Sequence, residues 1–199
     1  MEALLLVDIQ NDFSPTGSLP VKEGDEIIPF VNGRQGDFDL VIASQDWHPA
    51  DHYSFAKNHN LKPGQIIGLN GIDQILWPVH CVQNTFGAKF IDGLETGKIA
   101  KIFRKGTDRE IDSYSAFFDN DHRSSTGLND YLKQKGVSQI CIVGLATDYC
   151  VKYTAIDAVG QGFETSVLLK GCRSVELNPG DVDRAIDEMK SSGVQICTK

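Results

Sequence analysis

The stretch SQICIVGLATDYCVKYTAIDAV, residues 138–159, changes its hydrophobic pattern after residue 146. Residues 138–146 are apolar on consecutive positions and rich in Ile and Val, which is typical of a strand with both faces buried in a parallel sheet. Residues 148–159 instead carry apolar residues at helical spacing. The stretch therefore predicts a buried strand followed at once by a helix, the unit from which α/β folds are built.

Similar patterns recur along the chain and extend this interpretation. Further buried strands are predicted at 3–8, 39–46 and 165–171, with weaker candidates at 98–105 and 194–197. Helices are predicted at 25–34, where Pro29 should kink or break the helix, and at 126–135 and 179–192. Because strand and helix alternate, the sequence favours a single α/β domain over residues 1–199 with a parallel sheet.

The segment at about 47–97 interrupts this alternation. It lacks periodic pattern, and it contains both Trp residues and four of the five His residues. A segment of this length inside a compact domain is usually functional or disordered, and the aromatic residues favour an ordered one. We therefore expect an insertion that carries functional residues.

Composition and charge exclude several classes of protein. The chain has 199 residues, is 41% hydrophobic and carries a formal net charge of −8, with Lys and Arg scattered. A nucleic-acid or anionic-membrane binder would need a basic face, so neither partner is expected. The five cysteines form no CxxC pair, no stretch of 18 residues is apolar throughout, and the first residues do not predict a signal peptide. These features favour a cytoplasmic setting.

Three reactive side chains lie where predicted strands end. Asp8 ends the first strand, Lys105 ends the weak one at 98–105, and Cys150 follows the strand at 138–146. Ligands of parallel sheets bind at the carboxyl ends of the strands. A nearby ammonium group and a helix N-terminus both favour a thiolate, and a carboxylate can shuttle a proton. Each residue alone is more often structural, but together they predict nucleophilic catalysis.

A second group of residues has the chemistry of a metal site. Asp46 and His48 are two positions apart on an extended segment, so their side chains point the same way, and His80 lies in WPVHC. A carboxylate with imidazoles suits zinc, iron or manganese. His52 follows Pro49, which prevents its placement by simple geometry. Because histidines in loops are commonly solvent-exposed, the pattern alone leaves a purely structural role for these residues open.

Five motifs together resemble the nicotinamidases of the isochorismatase-like hydrolase superfamily. They are LLLVDIQNDF, SQDWHPADHYSFA, WPVHC, RKG followed by DSYSAF, and GLATDYCVKYTA, and they occur in family order over most of the chain. The resemblance implies an isochorismatase-like three-layer α/β/α sandwich with a six-stranded, mostly parallel sheet.

The same resemblance implies roles for individual residues. It implies a catalytic triad of Asp8, Lys105 and Cys150, and an oxyanion hole formed by the amides of Ala146 and Cys150, with a cis peptide before Ala146. It implies one divalent metal ion, zinc with iron or manganese as alternatives, on Asp46, His48 and His80. His52 is a ligand in some relatives only, so its role stays open. The pyridine pocket is implied to contain Phe13, Trp77 and Tyr114.

The implied activity is hydrolysis of nicotinamide to nicotinate, with pyrazinamide as a second substrate and NAD salvage as the setting. One alternative is another small amidase or ureido hydrolase of the superfamily, which would commonly lack the metal residues. Others are a non-catalytic binding relative and a simple metal-binding protein. The oligomeric state stays open, with a homo-oligomer as one option.

Overall fold

The computed structural model describes residues 1–198, and its centre is a six-stranded sheet. Within these residues there are eight strands, which are β1 Glu2–Val7, β2 Leu40–Asp46, β3 Ile66–Leu69, β4 Ile72–Ile75, β5 Ile99–Lys105, β6 Gln139–Leu145, β7 Glu164–Arg173 and β8 Gln195–Cys197. The large sheet has the order β5-β2-β1-β6-β7-β8, and all five of its strand pairings are parallel. The α/β fold with a parallel sheet, including both weaker strands, is therefore confirmed.

Helices cover both faces of this sheet, which gives the three layers. They are α1 Ile28–Arg34, α2 Leu128–Gln134, α3 Lys152–Gly160 and α4 Asp181–Ser191. Alternate residues of β1 enter two separate cores, with Leu5 in the core that α2, α3 and α4 cover and Leu4 in the core that α1 covers. Burial on both faces explains why β1 reads as a continuous apolar run.

Two local details differ from the sequence prediction. The 25–34 helix divides into a 3-10 turn at Gly24–Ile27 and an α-helix from Ile28. Pro29 therefore lies in the first turn of α1, where its missing N–H costs no hydrogen bond. The segment at 47–97 also contains an antiparallel hairpin of β3 and β4, which the sequence analysis missed because both strands are short and partly exposed.

None of the helices in the described part of the chain has the length and apolar character needed to span a bilayer.

Candidate active site

The carboxyl ends of four neighbouring strands bring the reactive side chains to one edge of the sheet. Asp8 follows β1 directly, and Asp46 and Lys105 are paired residues at the ends of β2 and β5. Cys150 lies in the π-helical turn at Thr147–Val151 that connects β6 to α3. Strand order β5-β2-β1-β6 thus makes neighbours of residues that are far apart in sequence.

The ammonium group of Lys105 lies at the centre of the site. Its Nζ is 2.9 Å from Asp8 Oδ2 and 2.5 Å from Asp46 Oδ1. It also lies 3.4 Å from Cys150 Sγ and donates a hydrogen bond of 2.7 Å to the carbonyl of Ser113. All four side chains are buried, so this cation stays close to both carboxylates and to the thiol.

The pKa values of the two carboxylates, Asp8 and Asp46, are shifted in opposite directions. Burial raises the pKa of Asp8 above its usual value, although Lys105 opposes the change. Burial acts the same way on Asp46, but there Lys105 and His48 outweigh it and hold the pKa well below its usual range. Carboxylates whose pKa values are driven apart commonly take different roles. Asp46 has the properties of a permanent anion, and Asp8 those of a group that exchanges a proton.

The sequence led us to expect that the surroundings of Cys150 favour its thiolate, but in the structure they favour the protonated thiol. Burial raises the pKa of this thiol well above its usual range, and the opposing effect of Lys105 is smaller. Lys105 itself stays charged, because Asp46 and Asp8 outweigh its burial and raise its pKa. A thiol that rests protonated needs a base close by when it attacks, and Asp8 is the candidate.

Local backbone and side-chain contacts hold Asp8 and the turn that carries Cys150. Asp8 has a left-handed φ of 49°, a sparsely populated conformation that often occurs at functional sites. Its Oδ1 accepts a 2.7 Å hydrogen bond from the buried hydroxyl of Ser44. The peptide bond Leu145–Ala146 is cis, and the carbonyl of Ala146 accepts the N–H groups of Tyr149 and Val151.

Beside this cluster, Asp46, His48 and His80 present one ligand atom each within 4.8 Å of one another. Each Nδ1 faces a carbonyl, that of Gly106 for His48 at 2.9 Å and that of Pro78 for His80 at 2.8 Å. A carbonyl can only accept, so Nδ1 carries a proton in both rings, and Nε2, which lies 3.6 Å (His48) and 3.7 Å (His80) from Asp46 Oδ2, is the atom that could bind a metal ion. The buried Nε2 of His48 has no hydrogen-bond partner. This donor set fits a divalent metal ion.

His52 lies next to this group, but both of its ring nitrogens face protein atoms. Nδ1 accepts the N–H of Ser54 at 3.1 Å, and Nε2 lies 3.3 Å from the carbonyl of Ile111. Burial and the neighbouring His48 lower the pKa of His52 to about 4, so the ring is neutral at pH 7. Its ring centroid is 4.3 Å from that of His48. These contacts favour a role in which His52 packs against the ring of His48 over one in which His52 binds a metal ion directly.

Gly106 packs directly against the ring of His48. We call Asp46, His48 and His80 the metal group. A Cβ at this position would lie 2.3 Å from Cε1 and 2.5 Å from Nδ1 of His48, and its φ of +61° also disfavours other residues. The backbone of Gly106 can therefore approach the imidazole only because the residue has no side chain.

We expect Gly106→Ala to lower affinity for a divalent metal by roughly tenfold or more, in the range seen when partners of metal ligands are lost. Gly136→Ala is the matched control, because Gly136 also has a positive φ, +72°, but open space around it. Metal titration of both variants separates backbone strain from the clash with His48. Equal affinity in the two variants would contradict this role for Gly106.

A small cleft opens onto Cys150, Asp46 and His80. The three residues implied to form a pyridine pocket, Phe13, Trp77 and Tyr114, all contribute to it. Trp77 Nε1 donates to the hydroxyl of Tyr114 at 3.1 Å. The rings of Trp77 and Tyr149 meet at 87° with centroids 5.0 Å apart, so two aromatic side chains of the cleft lie edge to face. A flat aromatic ring is the shape that such a cleft accepts.

Several contributors to the site were missed by the sequence analysis. Tyr149, Leu19, Asp112 and Val175 line the cleft, although no role was assigned to them. The buried amide of Gln10 both donates to and accepts from the backbone of Asp46, at 2.8 Å in each case. Gln10 belongs to the LLLVDIQNDF motif, so a polar residue after a buried strand was an available signal.

Comparison with known proteins agrees with this geometry. Residues 2–199 match the isochorismatase domain family. The nicotinamidase of Escherichia coli (strain K12) is 46% identical over 200 residues, which cover 98% of this chain and 94% of that protein.

Two solved structures are similar over nearly their full length. An Acinetobacter baumannii nicotinamidase/pyrazinamidase superposes with a TM-score of 0.96 at 45% identity, covering 99% of this chain and 95% of that chain. A Pyrococcus horikoshii pyrazinamidase in complex with zinc gives a TM-score of 0.81 at 39% identity, covering 100% and 99%. The chain therefore belongs to the isochorismatase family and, within it, to the nicotinamidase group of amide hydrolases.

Proposed function

We propose that the protein hydrolyses nicotinamide to nicotinate and ammonia through a thioester on Cys150, as a step of NAD salvage. The observation that carries this proposal is the position of Lys105 Nζ, within 3.4 Å of Asp8, Asp46 and Cys150. Cys150 lines the aromatic cleft, and Asp8 and Lys105 lie beside its thiol, which supports the roles of nucleophile, base and fixed cation for these three residues. The similarity to nicotinamidases supports the choice of substrate.

In the first half-reaction, Cys150 Sγ gives its proton to the Asp8 carboxylate and attacks the carboxamide carbon. The raised pKa of Asp8, caused by its burial, makes this carboxylate a stronger base than usual. Lys105 keeps its charge and offsets the negative charge that moves between Asp8 and Cys150. The carbonyl oxygen becomes an oxyanion, for which the N–H groups of Ala146 and Cys150 are the proposed donors.

Collapse of this intermediate breaks the C–N bond. Asp8 returns its proton to the nitrogen, ammonia leaves, and a thioester between the nicotinoyl group and Cys150 remains. In the second half-reaction, Asp8 takes a proton from water as the oxygen adds to the thioester carbon. The C–S bond then breaks, Asp8 reprotonates the thiol, and nicotinate is released.

We propose that the carboxylate of Asp46 and the Nε2 atoms of His48 and His80 hold one divalent metal ion. When bound, the ion supplies a Lewis-acid contact for the pyridine nitrogen. Zinc is the first candidate, since the similar Pyrococcus horikoshii protein was solved in complex with zinc, and the donor set also accepts iron or manganese. Phe13, Trp77 and Tyr114 are proposed to hold the ring, and His52 to support His48.

Purified protein incubated with nicotinamide should release ammonia and nicotinate in equal amounts, and pyrazinamide should be turned over as well. The assay measures ammonia enzymatically and nicotinate by liquid chromatography. Activity on a ureido compound with no activity on nicotinamide would favour the alternative superfamily hydrolase. Absence of turnover on either class would favour a non-catalytic, metal-binding relative.

Lys105→Met should slow alkylation of Cys150 by iodoacetamide near neutral pH. Lys105 is the group that opposes the burial-driven rise in the pKa of this thiol, so its loss should raise that pKa further. The control is Lys101→Met, because Lys101 lies on the same strand but is exposed and packs over the ring of Phe103. Alkylation is followed by mass spectrometry well below the melting temperature, since the variant leaves buried carboxylates unpaired. An unchanged rate would show that Lys105 does not tune the thiol.

A further inference from the structure

We infer that Asp148 is a positioning residue that fixes one wall of the substrate cleft, the side chain of Val175, against the turn that carries Cys150. Its role is specific to substrate binding, because the residue it holds lines the cleft while its own carboxylate does not. This inference rests on the proposed function for its substrate.

Both carboxylate oxygens of Asp148 are used to hold the chain after β7. Oδ1 accepts the N–H of Val175 at 3.1 Å, and Oδ2 accepts the N–H of Glu176 at 2.8 Å. Asp148 is only 5% exposed, and Glu176 has a left-handed φ of 48°. Consecutive N–H groups in such a turn converge on an anion, so this pair forms a small anion-binding nest filled by the side chain of Asp148.

This contact joins two parts of the cleft that are remote in sequence. Asp148 lies within the π-helical turn at Thr147–Val151, directly before Tyr149 and two residues before Cys150. Val175 and Tyr149 both line the cleft. The nest therefore sets the distance between a wall of the cleft and the nucleophile.

The ion pairs of Arg173, at the end of β7 just before this loop, are weaker restraints. Arg173 lies 3.4 Å from Glu23 and 3.9 Å from Glu26, but these carboxylates are about half exposed. Exposed ion pairs contribute little, whereas hydrogen bonds from backbone amides to a buried carboxylate are among the stronger ones. Asp148 thus holds the backbone at Val175, while the Val175 side chain packs against the core that α1 covers.

Asp148→Asn tests the inference, because it keeps the shape but turns an NH₂ group toward one of the two N–H donors. We expect the KM for nicotinamide to rise about tenfold, the effect of losing one hydrogen bond to a charged group. The kcat should change by less than about threefold, since a wall that contacts the ring equally in ground and transition states provides uniform binding. Asp183→Asn, an exposed change on α4, is the matched control.

Hydrogen exchange gives a second readout that does not require activity. The amides of Val175 and Glu176 should be protected in the wild-type protein and should exchange faster in Asp148→Asn, but not in Asp183→Asn. If nicotinamide is not a substrate of the wild-type protein, the proposed function fails, whereas this exchange result still decides whether Asp148 holds the loop.

A double-mutant cycle distinguishes positioning from general stabilisation. If Asp148 acts through Val175, then Val175→Ala should also raise the KM, and the double variant should raise it by less than the product of the two single effects. A double variant that raises the KM by the full product of the two single effects would overturn the inference. So would an unchanged KM in Asp148→Asn, or a parallel loss of kcat that follows the fall in melting temperature.

Discussion

Cys150→Ala is expected to lower kcat for nicotinamide by on the order of 10⁴-fold or more, because it removes the atom that forms the covalent bond. The Sγ of Cys150 is the thiol within reach of Lys105, at 3.4 Å, and it faces the cleft. Asp8→Asn should cause a comparable loss, since the amide cannot accept the thiol proton or return it to the leaving ammonia. Steady-state ammonia release measures both losses.

The other four cysteines provide the controls. Cys81, Cys141 and Cys172 are buried and Cys197 is half-buried, so their replacement by Ala or Ser should cost stability rather than turnover. Thermal melting shows the first effect and kcat the second. More than a few per cent of wild-type activity in Cys150→Ala would contradict covalent catalysis by this residue.

Nicotinamide should be preferred over benzamide by up to roughly 10⁴-fold in kcat/KM, the range reached when a site built around one polar contact meets an analogue lacking it. The two amides have the same shape, but only nicotinamide has a ring nitrogen. Pyrazinamide retains a nitrogen at the corresponding ring position and should be turned over appreciably. The comparison uses metal-loaded protein and the same ammonia assay for all three amides.

Removing the metal should erase most of this preference together with most of the activity. A strong chelator and His80→Ala should have the same effect, because His80 is one of the three proposed ligands. His122→Ala is the control, since His122 is exposed and pairs with Asp157 rather than with the proposed metal ligands. Equal turnover of benzamide and nicotinamide by the metal-loaded protein would mean that any ion there is structural.

Much of the fold could be predicted because burial on both faces leaves a strong pattern in the sequence. The runs at 3–8, 39–46 and 138–146 became β1, β2 and β6, the central strands of the sheet. The edge strand β5 gave a weaker signal, since most of its residues are exposed. The carboxyl ends of these strands in turn located Asp8, Asp46 and Lys105 at one edge of the sheet.

The contacts that tune the site could not be predicted in the same way. That burial outweighs Lys105 at the thiol of Cys150 depends on packing from several elements, which no local pattern encodes. The hydrogen bonds from the loop at Val175 to Asp148 join residues 27 positions apart. Their donors are backbone N–H groups, which every residue but proline has, so the sequence carries no signal for them. The role of Gly106 likewise appears only once the ring of His48 is placed against it.

The most direct test of covalent catalysis is to stop nicotinamide turnover with acid and map covalent adducts by mass spectrometry. A thioester mechanism predicts a nicotinoyl group on the peptide that contains Cys150, formed during turnover and absent when substrate is omitted. Asp8→Asn should not form it faster than the wild-type protein. A burst of ammonia equal to the enzyme concentration, with no adduct on Cys150 or with the adduct on another residue, would contradict the proposed mechanism.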